Sequence, residues 1–478
     1  MKKTKIRGAV CALLVLISMV VLFVPVNAQT DIDTLLIQSV RNETWADLSA
    51  YKVTEEALDE AFYRLRAHGQ FPWYTDYNYT YYIDDDGYIQ SFKADYLDPK
   101  QYDRVLYEKK VAQLIDAAVK DGMTDLQIAL AVHDYLALHC AYDETYVRNT
   151  GYDLLVNGSA VCAGYADAYM DILNRLGVEC IYVDSEQMDH AWNLVKIDGS
   201  WYHVDITWDD RTPDVYGSVS HEYFLLTDEQ MQSGEDPHYG WNKQLVCMDA
   251  RFTDGFWVGV ESAVWFDDSK QCYLRTDEDF IGRVYSCEDG KRTQLAKNSE
   301  QYVDVGYGEY AYSHYGLSYW QGRLYYSDMQ NVWSVKPDGT DRRKEFTYDT
   351  AKNRKYIWGS FVENDTIYLS LSDHLENVTV QQVALAPTGY HTHCYEKIQY
   401  KPNCVKAGGV SYNCCDCDLS FTMPATPARG HHGVITVTLP QTDTQASLCL
   451  QCKDCDEQLT LPLPAFLFAQ VFLQTLWR

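Results

Sequence analysis

The stretch HAWNLVKIDGSWYHVDITWDD, residues 190–210, decides how the middle of this chain folds. Apolar and polar residues alternate on both sides of Asp198-Gly199, the pattern of two strands joined by a two-residue turn. With that turn, His190 is expected opposite Thr207 and Trp192 opposite Asp205. A period of two then puts all four residues on one face, and makes the His190 imidazole and the Asp205 carboxylate diagonal neighbours. His203 shares the face and reads as a packing or surface residue.

An orienting carboxylate beside an imidazole is half of a nucleophilic relay. The other half lies upstream, in NGSAVCAGYADAYMDILNRLG, residues 157–177. Ala166, Tyr169, Met170, Leu173 and Leu176 make an apolar helical stripe ended by Gly177, with Asn157, Gly158 and Ser159 reading as the loop before it. Cys162 therefore falls at or near a helix N-terminus, where unpaired N–H groups and the positive dipole end favour a thiolate. Taken alone it would read as a buried structural cysteine. The hairpin turns the reading toward a nucleophile.

These motifs resemble the transglutaminase-like superfamily, particularly its secreted bacterial branch. GSAVCAGYADAY carries the cysteine, HAWNLV the histidine and WYHVDITWDD the aspartate, in that family's order. HDYLALHCAYD at 133–143 and EYFLLTDEQM at 222–231 are also similar to that branch, and the resemblance covers 125–242 with a weaker extension upstream. It implies an α+β papain-like core in which Cys162 attacks an amide or ester carbonyl. His190 would be the general base and then the acid, and Asp205 would orient the imidazole. The Cys162 N–H is implied as one oxyanion donor. Many relatives carry Gln after the cysteine, but Ala163 stands here, so the second donor is unassigned. Tyr152 and Trp192 are candidate substrate-binding walls. No metal or other cofactor is implied for catalysis. The expected substrate is a protein or peptide, cell-wall peptide included. An acyl-enzyme resolved by water makes a peptidase or amidase, and one resolved by a lysine amine makes a crosslinking transglutaminase; hydrolysis is the favoured reading. A third reading is a non-catalytic module that binds cell wall or protein, against which the intact Cys-His-Asp set argues.

Lys2, Lys3, Lys5 and Arg7 precede an uncharged apolar run from Ala9 to Val26, and Val26-Asn27-Ala28 has the small-residue pattern of a secretory cleavage site. Residues 1–28 are thus expected to be a signal peptide and the protein to be secreted. Left uncleaved, the run would anchor the chain in a membrane. The formal charge of −28 repels phosphate backbones, so nucleic acid is excluded as a partner.

At 478 residues and 46% hydrophobic content, the chain is too long for one ordinary core and too apolar to be disordered, so a multi-domain protein is expected. Residues 29–124 read as an α+β leader, with TEEALDEAFYRLRAH as a helix capped by Thr54 and YNYTYYIDDDGYIQSF as a hairpin. The catalytic domain is assigned to 125–245, with His133 on the packed edge of a helix. Residues 255–390 turn to short Tyr-, Trp- and Val-rich runs, in which GRVYSCEDGKRTQL echoes GRLYYSDMQNVWSVKPDGTDRRKEF and Tyr368 follows Tyr325 at blade-like spacing. An all-β, propeller-like module is expected there; only about three blades fit, so it resembles an incomplete propeller or a β-meander.

In residues 391–478, His393, Pro402, Cys414, Cys417, Asp418, Thr422 and Pro424 recur 38 positions later as His431, Pro440, Cys452, Cys455, Asp456, Thr460 and Pro462. Two small zinc-ribbon-like repeats are expected, the second degenerate, with Thr442 and Ala469 in place of the first cysteine and the closing histidine. Cys404, Cys414, Cys417 and His431 would make a tetrahedral structural zinc site in the first repeat, with a disulfide-stapled module as the open alternative.

Overall fold

The computed structural model describes residues 3–7 and 26–462, apart from 213, 234–235, 244, 268–269, 277–280, 289, 298–302, 307–308, 312–315, 354, 374–377, 386–394, 401–407, 415–419, 427–432, 439–446 and 453–457. The chain forms two compact units, Met1–Tyr390 and His391–Arg478.

The first unit opens with helices α1 (Val26–Asn42) and α2 (Glu55–Ala67) packed on a four-stranded antiparallel sheet. Its strands are β1 (Lys3–Arg7), β2 (Ala46–Asp47), β3 (Thr75–Ile83) and β4 (Ile89–Tyr96), in the order β1-β3-β4-β2. The Thr54 hydroxyl accepts the Ala57 N–H at 3.3 Å and so starts α2, whose first turn holds Glu55 and Glu56 and whose last turn holds Arg64 and Arg66. Both charge placements complement the helix dipole. Leu36, Val40, Leu58, Phe62, Tyr81 and Phe92 close this module's own core. β1 comes from the stretch read as a signal peptide. No helix among the described residues is long and apolar enough to cross a membrane.

The site-bearing part sets helices against a second sheet. The helices are α3 (Arg104–Ala118), α4 (Asp125–His139), α5 (Gly151–Asn157) and α6 (Cys162–Arg175). The sheet has the antiparallel order β10-β9-β8-β7, with β7 at Cys180–Ser185, β8 at His190–Ile197, β9 at Ser200–Val204 and β10 at Phe224–Leu226. Short β5 (Ala141–Tyr142) and β6 (Ser159–Ala160) pair in parallel.

α6 buries Tyr165, Ala166, Tyr169, Met170, Ile172 and Leu173, and ends at Gly177, whose φ of 87° is the left-handed conformation that stops a helix. Fully buried Ile172 and Leu173 each contribute about 1.5–3 kcal/mol, more than the roughly 1 kcal/mol that a missing N-cap costs. That is why α6 can begin at Val161, which makes no side-chain capping bond. The loop expected at Asn157–Ser159 is shorter than the sequence suggests. Thr150 and Asp153 form a capping box that starts α5, Gly158 caps it at φ 80°, and Ser159 already belongs to β6.

The hairpin has the expected register, from Ile197–Ser200 to Asn193–Val204. Asp198 at φ 49° and Gly199 at φ 86° make the mirror-image turn that matches strand twist. Two short helices follow, α7 (Ile206–Asp209) before β10 and α8 (Asp228–Met231) after it.

The remainder of this unit is built mainly of successive antiparallel sheets, with one short helix, α9 (Thr350–Asn353), among its described residues. β11 (Trp265–Asp267), β12 (Lys270–Thr276), β13 (Gly282–Glu288) and β14 (Lys291–Lys297) form the first, and β15 (Val303–Gly306) pairs with β16 (Glu309–Ala311). β17 (Leu317–Trp320), β18 (Arg323–Ser327), β19 (Asn331–Val335) and β20 (Arg343–Thr347) form a four-stranded meander. β21 (Tyr356–Glu363), β22 (Thr366–Ser372) and β23 (Val378–Ala384) form a three-stranded one. Tyr325 and Tyr368 lie on the second strand of their meanders, which accounts for the spacing between them. Among the described residues the sheets have four, two, four and three strands and do not close into a ring, so the β-rich part of the expectation holds as a series of meanders.

The second unit holds two three-stranded meanders. These are β24 (Tyr395–Tyr400), β25 (Gly408–Cys414) and β26 (Ser420–Thr426), then β27 (Gly433–Thr438), β28 (Ser447–Cys452) and β29 (Gln458–Pro462). Each strand recurs at the offset of 38 seen in the sequence. Of the residues expected to hold zinc, Cys414 ends β25, while Cys404, Cys417 and His431 lie outside the described residues.

Candidate active site

Cys162 is the first residue of α6, reduced and half-buried. Val161 brings no capping side chain, so no side chain at the N-cap takes a first-turn N–H of α6, and the Gly164 N–H turns back to the Val161 carbonyl at 2.9 Å. Packing fixes this helix end. Gly164 sits so close to β6 and α5 that a Cβ there would collide with Ala160 Cβ and come within 2.8 Å of the Thr150 carbonyl oxygen. The Val161 N–H donates to the Arg148 carbonyl at 2.8 Å, tying the helix start to the loop in front of it.

His190 opens β8, and its Nε2 lies 2.6 Å from Asp205 Oδ2. Cys162 is a neighbour that favours the charged form of the imidazole, and Nδ1 is the ring nitrogen that Asp205 leaves available. Asp205 reaches His190 by a route the strand pattern does not show. β9 ends at Val204, and Asp205 becomes the N-cap of α7, its Oδ1 accepting the Trp208 N–H at 3.3 Å. One oxygen caps the helix and the other holds the histidine. Thr207, expected opposite His190, is thereby carried into α7.

Burial alone would lower the His190 pKa, but the Asp205 charge and hydrogen bond, with Cys162 beyond, outweigh it and push it up to about 10. Burial likewise works to raise Asp205, yet the His190 charge and the hydrogen bonds from His190 and His238 bring it down to about 2. At neutral pH the pair is imidazolium and carboxylate, which places a positive charge beside the Cys162 side chain.

Trp192 and Tyr152, the candidate substrate walls, are both buried against other rings. Trp192 is 1% exposed, lies against the His190 ring at 5.7 Å, and donates its indole N–H to His203 Nδ1 at 2.9 Å. It is the floor under the imidazole. Tyr152 is 6% exposed and stacked with Trp73 and Tyr107, an aromatic joint between helices. His203 is buried and neutral, because Nδ1 accepts from Trp192 and Nε2–H donates to Asp228 Oδ1 at 2.9 Å; burial lowers its pKa.

His133 is packed, as its helical position suggests, but in a buried polar network. Nδ1 lies 2.8 Å from Asp134 Oδ1 and Nε2 lies 3.1 Å from Asp209 Oδ2. His221 Nε2 meets the same Asp134 oxygen at 2.9 Å, and the Val264 N–H donates to Asp134 Oδ2 at 2.6 Å. The network joins α4 to α7, whose cap is Asp205, and to the chain entering the β-rich part.

His238 carries no signal in the sequence. It is fully buried, and its Nε2 lies 2.8 Å from the same Asp205 oxygen that holds His190. It stands in an irregular stretch, DPHYGW at 236–241, where no periodicity points to a shared face.

Residues 112–206 match the model of the Transglutaminase-like superfamily, and this part of the chain is a transglutaminase-like domain. Over 168 residues the chain is 26% identical to the kyphoscoliosis peptidase of Homo sapiens, covering 29% of this chain and 25% of that protein. Over 148 residues it is 25% identical to the kyphoscoliosis peptidase of Mus musculus, covering 26% and 22%. The chain thus spans about a quarter of the length of the curated relatives it matches. A crystal structure of a TGase overlaps 25% of this chain and 42% of its own, at 18% identity and a TM-score of 0.19.

Proposed function

We propose that the protein is a cysteine-nucleophile enzyme that hydrolyses amide bonds of protein or peptide substrates through a thioester. The observation that carries this reading is the convergence of three elements on one point: Cys162 starting α6, His190 opening β8, and Asp205 capping α7 at 2.6 Å from His190.

In the proposed reaction the Cys162 thiolate attacks the amide carbonyl carbon, and the Cys162 N–H steadies the oxyanion that forms. His190 passes its proton from Nδ1 to the leaving nitrogen, the C–N bond breaks, and a thioester remains. Water then attacks the thioester while His190 takes its proton, releasing acid and thiolate. Asp205 stays ionised and holds the ring in the required orientation. The relatives' name, peptidase, supports water over an amine as acceptor. The basic start and the apolar run from Ala9 to Val26 support action outside the cell, where wall peptides are included among the substrates.

The test is incubation of the full chain with casein, with and without a fluorescent primary amine, beside Cys162→Ser. Hydrolysis requires new peptide termini that disappear in the variant. Amine incorporation without cleavage would replace hydrolysis by crosslinking, and no Cys162-dependent product of either kind would end the enzymatic reading.

A further inference from the structure

We propose that His238 is a positioning residue, whose Nε2–H pins Asp205 Oδ2 and divides the hold of that carboxylate between two imidazoles. The inference rests on the relay reading of Cys162, His190 and Asp205.

Three observations lead to it. First, the contact is direct: His190 and His238 approach one oxygen at 2.6 and 2.8 Å, while the other Asp205 oxygen has a longer bond of 3.3 Å from the Trp208 N–H. Second, the ring is fully buried among Trp208 at 4.1 Å, Trp192 at 5.0 Å, Tyr223 at 5.3 Å and His190 at 5.4 Å, and its Nδ1 meets no hydrogen-bond partner among the described residues. A proton on Nδ1 would be an orphan donor in an aromatic box, so the neutral Nε2–H form fits the surroundings. Third, a histidine is a poor filler here. Phenylalanine would occupy the box without burying an unpaired nitrogen, so the contribution of His238 lies in its Nε2–H.

The consequence falls on His190. A neutral donor on Asp205 Oδ2 stabilises the carboxylate and competes with His190 for it. Without that donor the whole charge of Asp205 would favour the His190 imidazolium, which would then hold its proton to higher pH and give it up less readily. The other titratable groups around the pair are Cys162 on α6, Asp189 just before β8, Tyr223 before β10, His203 on β9 with its partner Asp228 on α8, Asp209 on α7 with its partner His133 on α4, and Lys243 beyond His203. None of the three substitutions below alters any of them.

The experiment is the rate of Cys162 alkylation by iodoacetamide in the full chain, from about pH 4 to about pH 11, with each labelled cysteine mapped. Two steps are expected in the unaltered protein, the lower from the thiol and the upper from His190. His238→Phe should move the upper step up by about half a pH unit or more. His238→Gln, whose amide N–H can reach Asp205, should return it at least halfway. His238→Leu gives the same comparison if the Phe variant does not fold. An upper step unmoved on loss of the donor, or moved equally by Gln and by the apolar residue, would overturn the proposal. A two-step wild-type profile that neither variant changes removes only the role of His238. A single wild-type step near the ordinary thiol value of about 8.5 removes the relay itself.

Discussion

His190 and Asp205 meet at 2.6 Å although different elements hold them: His190 is the first residue of a strand, and Asp205 is the cap of a helix. The strand sets the ring and the cap sets the carboxylate, so either can be disturbed separately. Asp205→Asn keeps an oxygen for the Trp208 N–H but removes the charge and allows an amide N–H to face His190 in the wrong tautomer. Amide hydrolysis should fall by on the order of 10³-fold or more, with little change in circular dichroism. Near-normal turnover in the variant would mean that the contact does not orient the imidazole.

Gly164 separates helix propensity from packing. Within a helix, alanine is ordinarily favoured over glycine by about 1 kcal/mol. Here the added Cβ would collide with Ala160 and crowd the Thr150 carbonyl oxygen, both in the elements that precede Cys162. Overpacking of this kind costs about 1–3 kcal/mol, so Gly164→Ala should lower the denaturation midpoint and slow Cys162 alkylation together. A stabilised variant with unchanged labelling would show that α6 can shift without consequence.

The hairpin turn makes a smaller and more local demand. Gly199 stands at φ 86°, where a side chain costs roughly 1–2 kcal/mol. Gly199→Ala should therefore lower the melting temperature measurably, whereas Asp198→Asn at φ 49° should be nearly neutral, because Asn tolerates this conformation. Equal effects of the two changes would argue against this turn.

How much of the fold and site is legible in the sequence follows from how local each signal is. The Asp-Gly turn carries its own geometry, so the β8–β9 register can be read from the residues alone. The stripe ending at Gly177 likewise marks α6. Asp205 carries two competing signals, an alternating strand pattern and an aspartate three residues before Trp208; the cap prevails and ends β9 at Val204, although β8 runs on back to His190. His238 and His221 lie in segments without periodicity and reach the site only through the folded chain, so nothing in their neighbours announces them. The β-rich part is legible only as far as its meanders for a related reason: repeated Tyr-rich hairpins specify meanders, but ring closure depends on how many meanders form and how alike they are.

The His133 network makes stability depend on pH. Burial opposes the charged ring, but hydrogen bonds to Asp134 and Asp209 prevail and push His133 up from 6.5 to about 9. A raised histidine contributes fully below its unfolded value, and the contribution is lost as pH rises from about 6.5 to about 9. Asp134 is also opposed by burial but held low by His221 and His133; its contribution is present above its unfolded value and lost as pH falls toward its folded one. His133→Ala should cost about 3–5 kcal/mol by leaving carboxylates buried without this partner. The difference from wild type in urea denaturation should shrink between pH 6.5 and 9; a difference constant across that window would contradict a protonated His133.

The most direct test of the relay compares the alkylation rate of Cys162 by iodoacetamide at about pH 6 in wild type and His190→Ala. If the Cys162 thiolate is paired with the His190 imidazolium, wild type should react on the order of tenfold to a hundredfold faster, and the variant should follow an ordinary thiol titration near about pH 8.5. Equal rates in the two proteins at that pH would contradict the relay.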